Sequence, residues 1–264
     1  MVVRPVGGLL CLTLQSDHAR ASGEVAAHWG GRHFARVEHH RRSVLLATAH
    51  HDAGWVDWER APKLNPKARP YSFLEIPQVQ HTQIYAQGVA ALHRHDPYAA
   101  LLVSLHGTGL YNGRYGHMPH IPVRPLDPGA DGVVATFLAD QKERQTALIT
   151  LLQPDQTLLW TYYRWLQAWD GITLMMAMFD PQEERAFSQG VMPLTPGGSE
   201  VPLTLKGAGT DTWTLDPWPF IPDQLDLAWP VRYVEDRGYE GEAEFQEAFY
   251  AAATREQRVT LRPA

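Results

Sequence analysis

The sequence predicts a mainly α protein: a helical bundle with a small β-rich section formed by the N-terminal strands and the C-terminal region. Three observations carry that expectation. Between residues 15 and 180, apolar side chains recur at helical spacing and are bracketed by cap signals. After Asp180 the pattern changes to short β-prone runs punctuated by prolines. Residues 1–14 alternate weakly around Gly7-Gly8 and read as one or two strands joined by a turn. The chain is accordingly expected to be a single domain over 1–264, with 15–180 as its helical core and 1–14 plus 181–264 as a β-rich appendage.

In chain order, Ser16 or Asp17 can cap a first helix, which Gly30-Gly31 ends. Val44 to Trp58 forms a second helical segment that carries His51-Asp52. The proline-rich stretch from Pro62 to Pro77 is long enough to act as a flap. Pro77 then opens a helix running to about His93. Asp96-Pro97 is a cap followed by a first-turn proline, and the helix it starts, Tyr98 to His106, is apolar nearly all round, as a central helix would be. Residues 107–132, rich in Gly and Pro, form a second long loop. Helices follow over about Gly132 to Leu152 and from Pro154-Asp155 to Phe179. The tail contributes strands at Val201 to Leu205, Thr212 to Leu215, Leu225 to Val234 and Arg258 to Leu261, with one helix over about Glu242 to Ala253.

With 44% hydrophobic and 20% charged residues the chain has the composition of an ordinary globular protein, not of a disordered one. A formal charge of −6 argues against a nucleic-acid backbone as the main partner. The basic run Arg36 to Arg42 also holds Glu38 and two His, which makes it a solvated segment rather than a binding face. The single Cys11 can form neither an internal disulfide nor a multi-cysteine zinc site. No stretch approaches about 18 apolar residues, and the short apolar run Val6 to Leu14 lacks a cleavage signal, so a cytoplasmic protein without membrane partners is expected.

The chemistry concentrates around His51-Asp52. Histidine is the commonest transition-metal ligand, and a neighbouring carboxylate adds charge that a divalent ion favours. Other ionisable residues interrupt apolar helical faces: His18 in the first helix, His81 early in the third, His106 at the end of the fourth and Asp170 within the last long helix. An Asp at such a place is costly unless it is paired, hydrogen-bonded or bound to a cation. Ligands from several helices could surround one or two ions inside a bundle. A phosphate-cradling Gly-rich loop, a Gly-x-Ser-x-Gly elbow and a dinucleotide fingerprint are all missing. Ser104 and His106, two residues apart, point to different helix faces and make a poor nucleophile pair.

The order His18, His51-Asp52, then a distant Asp170 resembles the HD superfamily of metal-dependent phosphohydrolases, named for its His-Asp pair. His81 and His106 resemble the two extra histidines of its two-metal branch. The resemblance implies an HD-like helical core in which His18, His51 and Asp170 ligate one ion, His81 and His106 a second, and Asp52 bridges. More narrowly, Gln15-Ser16-Asp17-His18, His51-Asp52-Ala53-Gly54-Trp55, Asp96-Pro97-Tyr98-Ala99, Ser104-Leu105-His106-Gly107, Trp169-Asp170 and Asp216-Pro217-Trp218-Pro219-Phe220 are similar to a bacterial family known only as a domain of unknown function. Trp55 occupies the place where many HD enzymes carry a basic residue. Lys63, Arg69 and Arg114, in the two long loops, could hold a phosphate instead.

The expected function is a metal-dependent hydrolase that acts on a phosphoester-type small molecule through a metal-activated water. Its candidate catalytic residues are Asp52, His106 and Arg114. Its cofactor would be one or two divalent ions, Fe, Mn, Co, Zn or Mg. Two alternatives stay open: a di-iron oxygenase on an HD-like fold, and a non-catalytic helical module that binds a small ligand or another protein.

Overall fold

The computed structural model describes residues Met1–Ala264. Strands β1 (Val2–Val6) and β2 (Leu9–Thr13) form an antiparallel hairpin, and Gly7 and Gly8 turn it with φ values of +55° and +83°. Helix α1 (Gln15–His28) follows at once, and it is capped differently from the sequence expectation. Neither Ser16 nor Asp17 caps it; the carboxylate of the distant Glu59 accepts the Gln15 backbone N–H at 2.9 Å. Asp17 instead pairs with Arg20.

The predicted helix over Val44 to Trp58 is two helices, α2 (Arg41–Ala49) and α3 (Trp55–Arg60), with His50 to Gly54 as a tight turn between them. The turn lies so close to the next helix, α4 (Gln78–His93), that a Cβ on Gly54 would overlap the Ile84 carbonyl. The break matters for the chemistry. Adjacent helical side chains diverge by about 100°, whereas this turn lets His51 and Asp52 face one point.

Helix α5 (Pro97–Gly109) starts as the sequence predicts: Asp96 accepts the Ala99 N–H at 2.9 Å and Pro97 takes the first helical position. Every residue from Tyr98 to Gly109 is buried, so α5 is the central helix. Helices α6 (Asp131–Leu152) and α7 (Gln156–Met178) complete the helical layer, α7 capped by Asp155.

The remaining strands are β3 (Ala186–Pro193), β4 (Glu200–Gly207), β5 (Thr212–Asp216), β6 (Leu225–Glu235) and β7 (Arg255–Pro263), with helix α8 (Glu242–Ala251) before the last. All seven strands of the chain join in one sheet of order β1-β2-β6-β7-β5-β4-β3, antiparallel except for the β5–β7 pair. The protein is therefore not a mainly α bundle with an appendage. It is 45% helix and 21% strand, with a curled, mixed, seven-stranded sheet as a full layer.

Packing explains the correction. One core of 43 buried residues includes Leu101, Leu102, Trp165 and Trp169 from the helices together with Leu205, Trp213, Leu215 and Leu261 from the sheet. Strand β6 shows the period-2 alternation that puts one face inward, with Leu225, Leu227, Trp229 and Val231 buried. Large aromatic side chains cross the boundary: Trp165 on α7 donates its indole N–H to the Pro193 carbonyl of β3 at 2.9 Å. No helix is long and apolar enough to cross a membrane.

Candidate metal centre

Four side chains from three segments meet where α1, the α2–α3 turn and α7 converge. His18 comes from the first turn of α1, His51 and Asp52 from the turn, and Asp170 from the middle of α7. His18 Nε2 lies 3.2 Å from Asp52 Oδ2 and 3.5 Å from Asp170 Oδ1. His51 Nε2 lies 3.4 Å and 3.3 Å from the same two oxygens. Ligand atoms about 2.1 Å from one ion at tetrahedral angles stand about 3.4 Å apart, so these spacings fit a single coordination sphere. His18, His51 and Asp52 are buried, and the Asp170 side chain keeps 16% exposure.

The outer nitrogen of each imidazole is held by the fold. His51 Nδ1 lies 2.8 Å from the Thr48 carbonyl, which can only accept, so Nδ1 carries the proton. In the neutral imidazole His51 Nε2 is then the lone-pair nitrogen, buried, in no aligned hydrogen bond and facing two carboxylate oxygens. His18 Nδ1 lies 3.1 Å from the Thr173 hydroxyl, whose own proton has the Trp169 and Asp170 carbonyls to go to. Thr173 lies three residues after Asp170, on the same face of α7, so one helical stripe supplies a ligand and the hydroxyl that orients another. Such outer hydrogen bonds fix the tautomer and raise the basicity of metal-binding imidazoles.

Asp52 is held from two more directions. Tyr85 on α4 donates its hydroxyl to Oδ1 at 2.8 Å, and the Gln15 amide donates to Oδ2 at 3.3 Å. The other end of that amide, Gln15 Oε1, is buried and has no partner. A close packing contact places Tyr85: a Cβ on Gly107 of α5 would stand 3.0 Å from its ring.

The electrostatics follow from burial and proximity. Burial alone would lower the His51 pKa, but the Asp52 and Asp170 carboxylates outweigh it and hold it well above the ordinary value. Burial opposes the ionised form of Asp52 and Asp170 too, and the imidazoles overcome that cost and keep both acids below the usual carboxylate range. A proton on His51 alone leaves two carboxylates against one positive charge, and buried charge of that kind is costly. A divalent cation balances both.

His106 and Asp170 also share close ligand-atom distances with His51, as a second group within 4.8 Å that overlaps the first. The His106 ring stands edge-on to His51, with centroids 4.9 Å apart. The Gln167 amide nitrogen lies 2.8 Å from His106 Nδ1 and donates to it, which places the ring proton of neutral His106 on Nε2. Burial pushes the His106 pKa down to about 4. His106 is thus a neutral hydrogen-bond donor beside the cluster. His81 stands in neither ligand group; its Nδ1 is 2.5 Å from the Tyr111 hydroxyl, and Tyr85 occupies the oxygen of Asp52 that a second ion would bridge.

The cluster borders a cavity of about 320 Å³. Gln15, Asp52, His81, Tyr85, His106 and Asp170 line it together with Phe73, Leu74, Leu110, Ile121, Pro122 and Leu174. Two arginines also reach it. Arg124 donates to the Ile76 carbonyl at 2.7 Å and to the Asp127 carboxylate at 3.0 Å. Arg114 makes no ion pair and no side-chain hydrogen bond, and it sits on a turn, Gly113–Gly116, in which Arg114 and Tyr115 have φ of 52° and 55°. Of the other basic residues the sequence singled out, Lys63 lies 4.7 Å over the Trp58 ring and Arg69 pairs with Asp236; neither lines the cavity.

Sequence reasoning did not assign roles to Thr48, Tyr85, Arg124, Gln167 and Thr173, or to Gln15, although Gln15 stands in a segment it quoted. Gln15 stands in a polar run and the others among largely apolar neighbours, and neither setting carries a signal until the partner of the side chain is known.

A family model described as "Protein of unknown function (DUF3891)" matches residues 1–236, which takes in every residue of the site and stops before α8 and β7. No curated protein and no solved structure matches the chain.

Proposed function

The chain belongs to the DUF3891 family, a description that names no activity, and from the site itself we propose a hydrolase that depends on one divalent metal ion and cleaves a small phosphoester. The observation that carries this reading is His51 Nε2: a buried nitrogen in no aligned hydrogen bond, held by the Thr48 carbonyl against two carboxylates. The order His18, His51-Asp52, Asp170 is also that of HD phosphohydrolases, which supports the choice of phosphoesters. His18, His51, Asp52 and Asp170 would hold the ion. The two ligand groups overlap at His51, and Tyr85 already occupies the other oxygen of Asp52, which favours one ion over two.

An ion held by this set supplies an acidic water and positive charge for the substrate's oxygens. The protein supplies the rest. Hydrolysis forms one P–O bond from water and breaks the bond to the alcohol, whose oxygen takes up a proton. The neutral His106 offers its Nε2–H to charge developing on the substrate. Arg114, unpaired, binds the anionic group. Gln15 and Tyr85 keep Asp52 oriented, and the apolar lining restricts water around the reacting atoms.

A screen of phosphomonoesters, phosphodiesters and nucleotides with Mn²⁺, Fe²⁺, Co²⁺, Zn²⁺ or Mg²⁺ tests the proposal. Turnover that disappears on chelation, and in Asp170→Asn, is the expected result. An absence of metal-dependent turnover across that panel contradicts it, and oxygen uptake by iron-loaded protein would replace it with the oxygenase reading.

A further inference from the structure

The cavity is small and its charges are nearly balanced, which restricts what it can take. Its volume of about 320 Å³ lies at the lower end of the roughly 300–1,000 Å³ usual for ligand sites. On the metal-dependent reading above, six charged groups meet at the cavity: the ion, Asp52, Asp170, Arg124 with its partner Asp127, and Arg114. A divalent ion is offset by the carboxylates of Asp52 and Asp170, and imidazole ligands are neutral. The charge of Arg124 is met by Asp127 at 3.0 Å. Arg114 remains as the one uncompensated charge on the cavity.

The turn that carries Arg114 has a fixed backbone at the cavity. Arg114 and Tyr115 are consecutive non-glycine residues in the left-handed region, which costs about 1–2 kcal/mol per residue. The turn is held in that conformation by Asn112 Oδ1, which accepts the Tyr115 N–H at 3.2 Å, and by the Tyr115 hydroxyl on Thr108 at 2.5 Å. The rest of the lining is predominantly apolar, with Phe73, Leu74, Leu110 and Leu174 contributing.

We propose that the substrate is a compact monoanion with an apolar body, a phosphodiester carrying small hydrocarbon groups, rather than a phosphomonoester or a nucleotide polyphosphate. A phosphomonoester carries nearly two negative charges at neutral pH, and a nucleoside di- or triphosphate more. A diester carries one, which Arg114 matches, and its organic groups fit the apolar wall.

The test is calorimetric binding at mildly alkaline pH to the protein as purified, with its metal content measured on the same samples. Methyl(phenyl)phosphinate is a monoanion that cannot be hydrolysed; phenylphosphonate is nearly the same shape but a dianion; adenosine monophosphate is larger and dianionic. The phosphinate is expected to bind about tenfold tighter than either of the others. Arg114→Gly, which suits a positive φ and removes the guanidinium, is expected to weaken the phosphinate by about tenfold or more and leave the metal content unchanged. Equal or tighter binding of the phosphonate or the nucleotide, no binding of any probe, or an unchanged affinity in Arg114→Gly overturns the inference. Ion-bearing protein that prefers a dianion overturns this inference alone, whereas protein that holds no ion overturns the hydrolase reading and this inference with it.

Discussion

Two buried polar clusters lie in the helical layer and differ in how they are satisfied. Ser104 and Thr108 on α5, Gln141 and Gln145 on α6, and Tyr115 form the first: Ser104 donates to Gln141 at 3.0 Å, Gln145 donates to Ser104 and Thr108, and Thr108 meets the Tyr115 hydroxyl. Its members are uncharged, and no buried polar atom among them lacks a partner. His18, His51, Asp52 and Asp170 form the second. There two carboxylates face two imidazoles, and His51 Nε2 makes no aligned hydrogen bond to either carboxylate. Each has three buried members, so burial does not mark a site. The difference is that the first cluster closes on itself with hydrogen bonds, whereas the second closes only around a cation.

The largest expected effect separates them by their response to a chelator. An ion bound at about a thousandfold above its dissociation constant stabilises the fold by about 4 kcal/mol, and for a chain of this size that is about 10 °C in melting temperature. Chelation is expected to lower the wild-type melting temperature by about that amount, and to lower that of Gln141→Leu equally, while His51→Ala shows no response. Differential scanning calorimetry checks it, and a chelator-insensitive wild type breaks the comparison.

Acid gives the next effect. Burial holds His81 and His106 at about 4 in the folded chain, against about 6.5 when unfolded. Between those values the unfolded state binds more protons, so stability falls as pH drops from about 6.5 to about 4. Asp17, which burial raises to about 6 despite Arg20, works with the opposite sign: its contribution is lost as pH rises through about 6. In chelated protein, His106→Asn is expected to flatten the dependence of the urea midpoint on pH over that window. A slope unchanged by the substitution would contradict a neutral, buried His106.

Smaller changes sharpen the contrast. Gln141→Leu leaves the buried Ser104 hydroxyl without its acceptor and should cost about 1–3 kcal/mol, with no loss of metal. Thr173→Val keeps the side-chain shape but removes the acceptor for His18 Nδ1. It should weaken metal binding about tenfold, the low end for outer hydrogen bonds of this kind, and, by leaving a buried N–H without its acceptor, cost the chelated protein about 1–3 kcal/mol as well. An equilibrium titration with a competing chelator reads the first; urea unfolding reads the second.

Much of the site and part of the fold can be read from the chain itself. The helices announce themselves through caps such as Asp96-Pro97 and Asp155, and the residues His18, His51-Asp52 and Asp170 stand out because each interrupts an apolar pattern. Three things stay hidden. The break at Gly54 depends on the Ile84 carbonyl, thirty residues away. Strand β3 was missed because Ser188, Gln189 and Gly190 interrupt its alternation where the pairing with β4 shifts register. That the tail shares one core with the helices depends on which face of β6 and β7 meets α7, and alternation shows that a face exists without naming its partner. His81 illustrates the same limit, since its place in the chain does not reveal that Tyr85 already occupies Asp52 Oδ1.

The central claim is that His51 Nε2 and the two carboxylates enclose a cation, and metal content tests it most directly. Inductively coupled plasma mass spectrometry on untagged wild type, His51→Ala and Gln141→Leu is the measurement. The account predicts about one equivalent of a divalent transition metal in wild type and in Gln141→Leu, and none in His51→Ala. No metal in wild type, even after reconstitution, or equal metal in all three, would contradict it.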